Sequence, residues 1–175
     1  VRLDRSGPAL TTSGLTSGST YDVGQSIVVT FSATDADGVT ATTATLDQVR
    51  AILSGTAINI DALASGTHTI VITATDQLGN VTNTTLTFVV RASAAGLARA
   101  VDDGVARGLI DPGIQSNLQT KLLAAQAAID RGDRGSAQNL LNTFTNNVSA
   151  QAGKRIDLAY AALLLNWAND LLARI

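Results

Sequence analysis

The sequence predicts two domains, an all-β sandwich of about seven strands over residues 1–91 and an all-α four-helix bundle over residues 92–175. Three observations predict this. Residues 1–91 hold 19 Thr and residues 92–175 hold three, while the second stretch holds 18 Ala and 13 Leu; β-branched Thr suits a pleated surface, whereas Ala and Leu are strong helix formers. The first stretch alternates apolar and polar residues in short runs between turn signals, and the second repeats apolar residues at spacings of three and four. The 175 residues are 45% hydrophobic and 15% charged with a net charge of −2, which excludes a wholly disordered chain and a simple basic nucleic-acid binder.

The strands follow in order. Ala9–Thr12 is the first. Ser26–Ala33 puts Ile27, Val29, Phe31 and Ala33 on one face. Val39–Leu46 is Thr-rich, as an outward sheet face in water allows. Short strands are expected near Arg50–Leu53 and Ala57–Ile60. Thr67–Ala74 places His68, Ile70, Ile72 and Ala74 together, and Val81–Val90 turns Leu86, Phe88 and Val90 inward. The stretches Ser32-Ala-Thr-Asp-Ala-Asp-Gly38, Leu63-Ala-Ser-Gly-Thr-His68 and Ala74-Thr-Asp-Gln-Leu-Gly-Asn80 resemble the bacterial Ig-like domains repeated in secreted and surface proteins, over residues 4–90. The resemblance implies an Ig-like sandwich in an extracellular setting.

The first helix is expected over Ala94–Gly108, with Leu97, Val101 and Val105 in its stripe. Asp111-Pro112 reads as an N-cap followed by Pro in the first turn. The second helix carries Ile114, Leu118, Leu122, Ala125 and Ile129, and Gly132-Asp133 ends it. The third carries Ala137, Leu140, Leu141, Phe144 and Val148. Asp157 caps the fourth, whose core stripe is read as Leu158, Ala161, Ala162, Leu165, Ala168 and Leu172. The motifs Gly108-Leu-Ile110, Leu118–Leu123, Ala137–Phe144, Val148–Lys154 and the last helix resemble the FIMAH-type helical module near the C-termini of secreted bacterial proteins, over residues 95–175. That resemblance implies an extracellular accessory module and transfers no activity.

The chain starts Val1-Arg2 and lacks Met, so it is expected to be a piece of a longer polypeptide. It has no Cys, which removes disulfides, thiolate metal sites and thiol nucleophiles. All 14 acidic residues are Asp, the carboxylate that favours caps and turns. No apolar run approaches the ~18 residues of a membrane span. Residues 1–91 contain no Lys, so a Lys–Asn isopeptide bond is excluded there.

His68 is the single imidazole. The pattern Leu63-x-x-Gly66-x-His68 before an inner strand is where Ig-type sandwiches place a corner tyrosine bonded to upstream backbone, so a structural role is expected. A hydrolase would need a serine beside it in a cleft, and no nucleophile-elbow motif is present. Asp35, Asp37, Asp76 and Asn80 form the convergent polar cluster, because loops after the second and sixth strands share one end of such a sandwich. Their oxygens suit Ca²⁺, and Asp35-Ala-Asp-Gly38 resembles the start of an EF-hand loop without its closing Glu. The competing reading is two Asx turns before Gly38 and Gly79. Tyr160, Leu164, Trp167 and Leu171 form a second apolar stripe on the fourth helix, either covered within the chain or contacting a partner or ligand. Asp102-Asp103 point about 100° apart on a helix and cannot flank one bond. Arg131, Arg134, Lys154 and Arg155 lie at turns and are expected near one bundle end.

These readings lead to a non-catalytic spacer or docking segment at the C-terminus of a secreted or surface-attached bacterial protein, whose partners are upstream domains of the same polypeptide. The alternative is a module binding a cell-wall or polysaccharide ligand through Trp167 and Tyr160. No cofactor is expected, calcium at the aspartates being the one candidate, and neither nucleic acid nor a membrane span is expected.

Overall fold

The computed structural model describes residues 4–175. Among them lie nine strands, β1 (Ala9–Ser13), β2 (Ser19–Asp22), β3 (Ser26–Val28), β4 (Thr30–Thr34), β5 (Val39–Leu46), β6 (Arg50–Ile52), β7 (Ala57–Asn59), β8 (Gly66–Asp76) and β9 (Val81–Arg91). Four helices follow, α1 (Ala94–Ala106), α2 (Pro112–Asp130), α3 (Arg134–Gln151) and α4 (Leu158–Leu172). The chain forms two compact units. Unit 1 runs up to Thr20 and takes Ser26–Ile58 and Thr67–Val89; unit 2 takes Tyr21–Gln25, Asn59–Gly66 and Val90–Ile175. A single cut at residue 91 therefore does not separate them.

Unit 1 is sandwich-like. One sheet has the order β2-β9-β8-β5-β6, and the remaining strands pair as β1-β4 and β3-β7. Reading β9, β8 and β5 as strands G, F and C reproduces one sheet of the Ig-type arrangement. Strict alternation on β8 buries Ile70, Ile72 and Ala74, and Leu46, Leu86 and Phe88 complete that face. Two expectations change. The run Ser26–Ala33 is two strands, because β3 pairs with β7 and β4 with β1, with the exchange at Val29, whose carbonyl instead accepts from Gly55 N–H at 2.9 Å. β2 was not foreseen, since Ser19-Thr-Tyr-Asp22 carries no apolar alternation.

In unit 2 each helix begins on a side-chain cap. Ser93, Asp111, Asp133 and Asp157 accept from the backbone N–H of Gly96, Gly113, Ser136 and Tyr160. The α1–α2 and α3–α4 connections are tied reciprocally: Asp111 N–H donates to the Arg155 carbonyl and Asp157 N–H to the Leu109 carbonyl, both at 2.8 Å. The same two aspartates then cap α2 and α4, so one short bridge fixes where both helices start. Helices α1 and α2, α2 and α3, α3 and α4, and α1 and α4 pack together. Leu97, Val101, Leu118, Leu122, Leu141, Phe144 and Val148 are buried, as their spacing predicts.

The fourth helix differs from its expected orientation. Leu158 is 68% exposed, whereas Tyr160, Leu164, Trp167 and Leu171 are buried with Ala161 and Ala168. The face read as the second stripe is the core face. The two short segments of unit 2 that precede the helices explain this. The Trp167 indole N–H donates to the Leu63 carbonyl at 2.9 Å, and Asn166 Oδ1 accepts from Ser65 N–H and Oγ at 2.7 and 2.9 Å. Asp22 accepts from Ser93 N–H and Oγ and from Arg99, at 2.8, 2.5 and 3.0 Å. A Cβ at Gly96 would collide with the Asp22 carboxylate, so α1 needs glycine there to approach it.

Trp167→Phe keeps an aromatic ring, though a smaller one, and orphans the Leu63 carbonyl; the lost bond alone costs about 1–3 kcal/mol. Thermal unfolding should therefore show a lowered Tm for unit 2, and an unchanged Tm would contradict this role.

Candidate functional site

The acidic loops of unit 1 divide into two groups with different jobs. Asp76 is buried and closes its own turn. Its Oδ1 accepts from Leu78 N–H and Asn80 N–H at 2.8 Å each, and its Oδ2 accepts from the Asn80 side-chain amide at 2.7 Å. Burial alone would raise this carboxyl, but the bonds from Asn80 and Leu78 outweigh it and hold it below the usual range. Asp76 thus spends both carboxylate oxygens on its own turn, and it does not join the carboxylates that converge nearby.

Asp4 joins them instead. One carboxylate oxygen from each of Asp4, Asp35 and Asp37 lies within 4.8 Å of the others. Asp35 Oδ1 accepts from Asp37 N–H at 2.9 Å, and its carbonyl accepts from Gly38 N–H at 3.3 Å, the Asx turn expected there. Asp4 Oδ1 accepts from Ser6 N–H at 2.8 Å, the main cause of its lowered carboxyl. Asp37 is raised, first by its hydrogen bond with the Asp4 carboxyl, then by desolvation and the charges of Asp4, Asp35 and Asp76. Sequence reasoning missed Asp4 because it is remote in the chain from Asp35 and Asp37.

His68 occupies the corner position and engages a side chain there. His68 Nδ1 lies 2.7 Å from Asp47 Oδ2, and its ring stacks on Phe88 with centroids 5.4 Å apart. Asp47 also accepts from Thr69 N–H at 2.9 Å and donates its own N–H to the Thr69 carbonyl at 2.8 Å. Asp47 and Gln48 turn the β5–β6 hairpin with φ of 51° and 61°, a left-handed conformation uncommon for residues other than glycine. Asp47's bonds hold that turn while it orients the imidazole. Ser54 bridges β4 instead of approaching His68: its hydroxyl accepts from Phe31 N–H and donates to the Phe31 carbonyl, both at 2.8 Å.

The stripe offered as a ligand or partner contact lies inside unit 2. Tyr160, Leu164, Trp167 and Leu171 are all buried. Tyr160 donates its hydroxyl to the Ala100 carbonyl at 2.6 Å, packs edge-on to Trp167, and carries the Arg107 guanidinium 5.7 Å from its ring centre. Burial, with the charges of Asp61 and Asp103, raises its hydroxyl. Nearby Asp61 is also buried; desolvation raises it, partly offset by the N–H of Gly24 at 2.6 Å. Asp102 and Asp103 part as expected, Asp102 accepting from Gln115 and Gln119 and Asp103 pairing with Arg107 at 3.1 Å. Of the turn cations, Arg155 pairs with Asp111 at 3.3 Å and Lys154 donates to the Ala150 carbonyl at 3.1 Å. A cleft of about 670 Å³ runs between these connections, lined by Leu109, Ile110, Lys154, Arg155, Ile156 and Leu158 among others.

No known protein family and no curated protein matches the chain. Among solved structures, it is similar to a fibronectin(III)-like module of Clostridium thermocellum CbhA, at 13% identity over 47% of this chain and 94% of that one, with a TM-score of 0.38. It is also similar to the PKD1 domain of Vibrio anguillarum Epp, at 19% identity over 51% and 99% of the two chains, TM-score 0.38. A third likeness is to SGBP-B of the Bacteroides ovatus mixed-linkage glucan utilization locus, solved with a mixed-linkage heptasaccharide: 22% identity, 51% of this chain, 25% of that one, TM-score 0.34. The resemblance of residues 95–175 to a FIMAH-type module rests on its sequence motifs.

His68→Ala removes the Asp47 contact and the Phe88 stack together. We expect a loss of about 1–3 kcal/mol, measured by denaturant unfolding; an unchanged midpoint would return His68 to the list of reactive groups.

Proposed function

We propose that this chain is a non-catalytic accessory segment of a secreted or surface-attached bacterial protein, which spaces and presents neighbouring domains of the same polypeptide. The observation that carries the reading is the commitment of His68: its side chain is 11% exposed, engaged with Asp47 and stacked on Phe88. This commitment supports a role in packing and turn geometry, as does the engagement of the Ser54 hydroxyl with Phe31. The burial of Trp167 and Tyr160 supports the same reading, because a sugar platform needs ring faces open to solvent, and these two rings were the contacts of the polysaccharide-binding alternative. Among the described residues no helix is long and apolar enough to cross a membrane. Affinity electrophoresis of the full chain through gels containing cell-wall and plant polysaccharides tests the proposal. Migration should match that of polysaccharide-free gels, whereas specific retardation by one glycan would replace the spacer with a binding module.

A second reading, calcium at the sandwich end, is favoured by the convergence of Asp4, Asp35 and Asp37. Three carboxylate oxygens suit a hard cation, with water completing its shell. Calcium excess should raise Tm relative to chelator, and Asp37→Asn should abolish the difference. The Asp4 carboxyl beside Asp37 raises Asp37, so calcium stabilisation should fade as pH drops through that raised range and protons displace the metal. Identical melts with calcium and chelator at neutral pH exclude the ion.

A further inference from the structure

We infer that Asp61 is a proton-operated latch in unit 2: its neutral carboxyl holds the segments Tyr21–Gln25 and Asn59–Gly66 together beside α1, and its ionised form weakens that hold. Every group involved belongs to unit 2, and the latch does not depend on the spacer reading. Asp61 lies on the one-turn 3-10 helix Ile60–Ala62 and is 4% exposed. Two bonds join the segments. Ile60 N–H donates to the Gln25 carbonyl at 3.2 Å, and Gly24 N–H donates to Asp61 Oδ1 at 2.6 Å. Of these two, the second passes through a group that can ionise. Gly24 is tightly seated: its φ is 79°, and a Cβ there would stand 2.8 Å from Arg99 Nε, so α1 packs directly on this turn.

Burial without a counter-charge decides which form the seat favours. Asp76, the other buried aspartate among the described residues, accepts three N–H bonds, whereas Asp61 accepts the one from Gly24. The two guanidiniums near Asp61 on α1 are engaged elsewhere, Arg99 with Asp22 at 3.0 Å and Arg107 with Asp103 at 3.1 Å. Asp103 adds a like charge from the same helix, and α4 brings up the Tyr160 hydroxyl, whose proton burial holds in place. A buried carboxyl with one donor and no ion pair favours the neutral acid. Desolvation accordingly raises it above its ordinary value. The folded chain then binds this proton more tightly than the unfolded chain does. The stability Asp61 contributes is therefore complete below the ordinary carboxylate range and is lost as pH rises through the raised value. The capping Asp111 and Asp133 are lowered, so their contribution is lost in the opposite direction, as pH falls below that range.

The chain has a single Trp, and the Trp167 indole N–H bonds the Leu63 carbonyl in the same segment as Asp61, so tryptophan fluorescence reports on unit 2. Thermal melts of the full chain are followed by this signal from about pH 3.5 to about pH 7.5. The native sequence is compared with Asp61→Asn, which keeps an acceptor oxygen for Gly24 but cannot ionise. The Tm of Asp61→Asn should draw ahead of the native Tm by a few degrees as pH rises; a gap that stays constant or narrows overturns the latch. An NMR titration of the native chain decides the matter if the variant does not fold. The Asp61 carboxyl should titrate above the ordinary value of 3.8, and a midpoint at or below it overturns the latch equally. Either failure concerns the latch alone, since the spacer reading is decided by the polysaccharide gels.

Discussion

Buried backbone groups must find hydrogen-bond partners, and the way unit 2 meets that constraint shapes the rest of the molecule. Its segments Tyr21–Gln25 and Asn59–Gly66 hold turns and a one-turn 3-10 helix, Ile60–Ala62, where the backbone leaves the strand ladders. Helix side chains and neighbouring loop groups answer the polar groups there instead. Trp167 serves the Leu63 carbonyl, Asn166 serves Ser65, and Asp61 accepts from Gly24. In return, Asp22 receives Ser93 and Arg99 from the start of α1. Ser93 is itself the N-cap of α1, so one serine both starts the helix and binds the segment beside it. The same arrangement decides which face of α4 is inside, because the indole must reach Leu63.

The aspartates show how one residue type is divided among structural tasks. Asp111, Asp133 and Asp157 cap helices, Asp76 closes the β8–β9 turn, and Asp47 holds the β5–β6 turn and His68. A chain with no Glu places carboxylates close to its backbone, where they accept N–H groups. Most of these side chains are occupied within the fold. The group Asp4, Asp35 and Asp37 is different, because there carboxylates face one another and Asp37 is raised as a result. Like charges brought together in this way favour either a shared proton or a cation.

Local chemistry was legible in the sequence wherever a few adjacent residues settle the outcome. Asp111-Pro112 and Asp157 cap the helices they were expected to cap, and the alternation of β8 and β9 assigned Ile70, Ile72, Leu86 and Phe88 to the core. The corner position of His68 was legible as well, although its Asp47 carboxylate partner was not. What stayed hidden depends on neighbours remote in the chain. The run Ser26–Ala33 alternates without a flaw, yet it changes partners at Val29. Leu158 and Trp167 both fit an apolar helix face, and periodicity cannot rank two faces that are both apolar.

The sequence by itself determined the β-then-α order, the helix starts, the turn aspartates and the inward faces of the long strands, because propensity, capping and alternation act over a few residues. Only the tertiary structure decided that residues 21–25 and 59–66 belong with the helices, that Trp167 lies inside, that Asp4 joins Asp35 and Asp37, and that β2 pairs with β9. Each of these joins residues far apart along the chain. No local period encodes such pairings; the need to bury apolar surface while satisfying every buried polar group selects them.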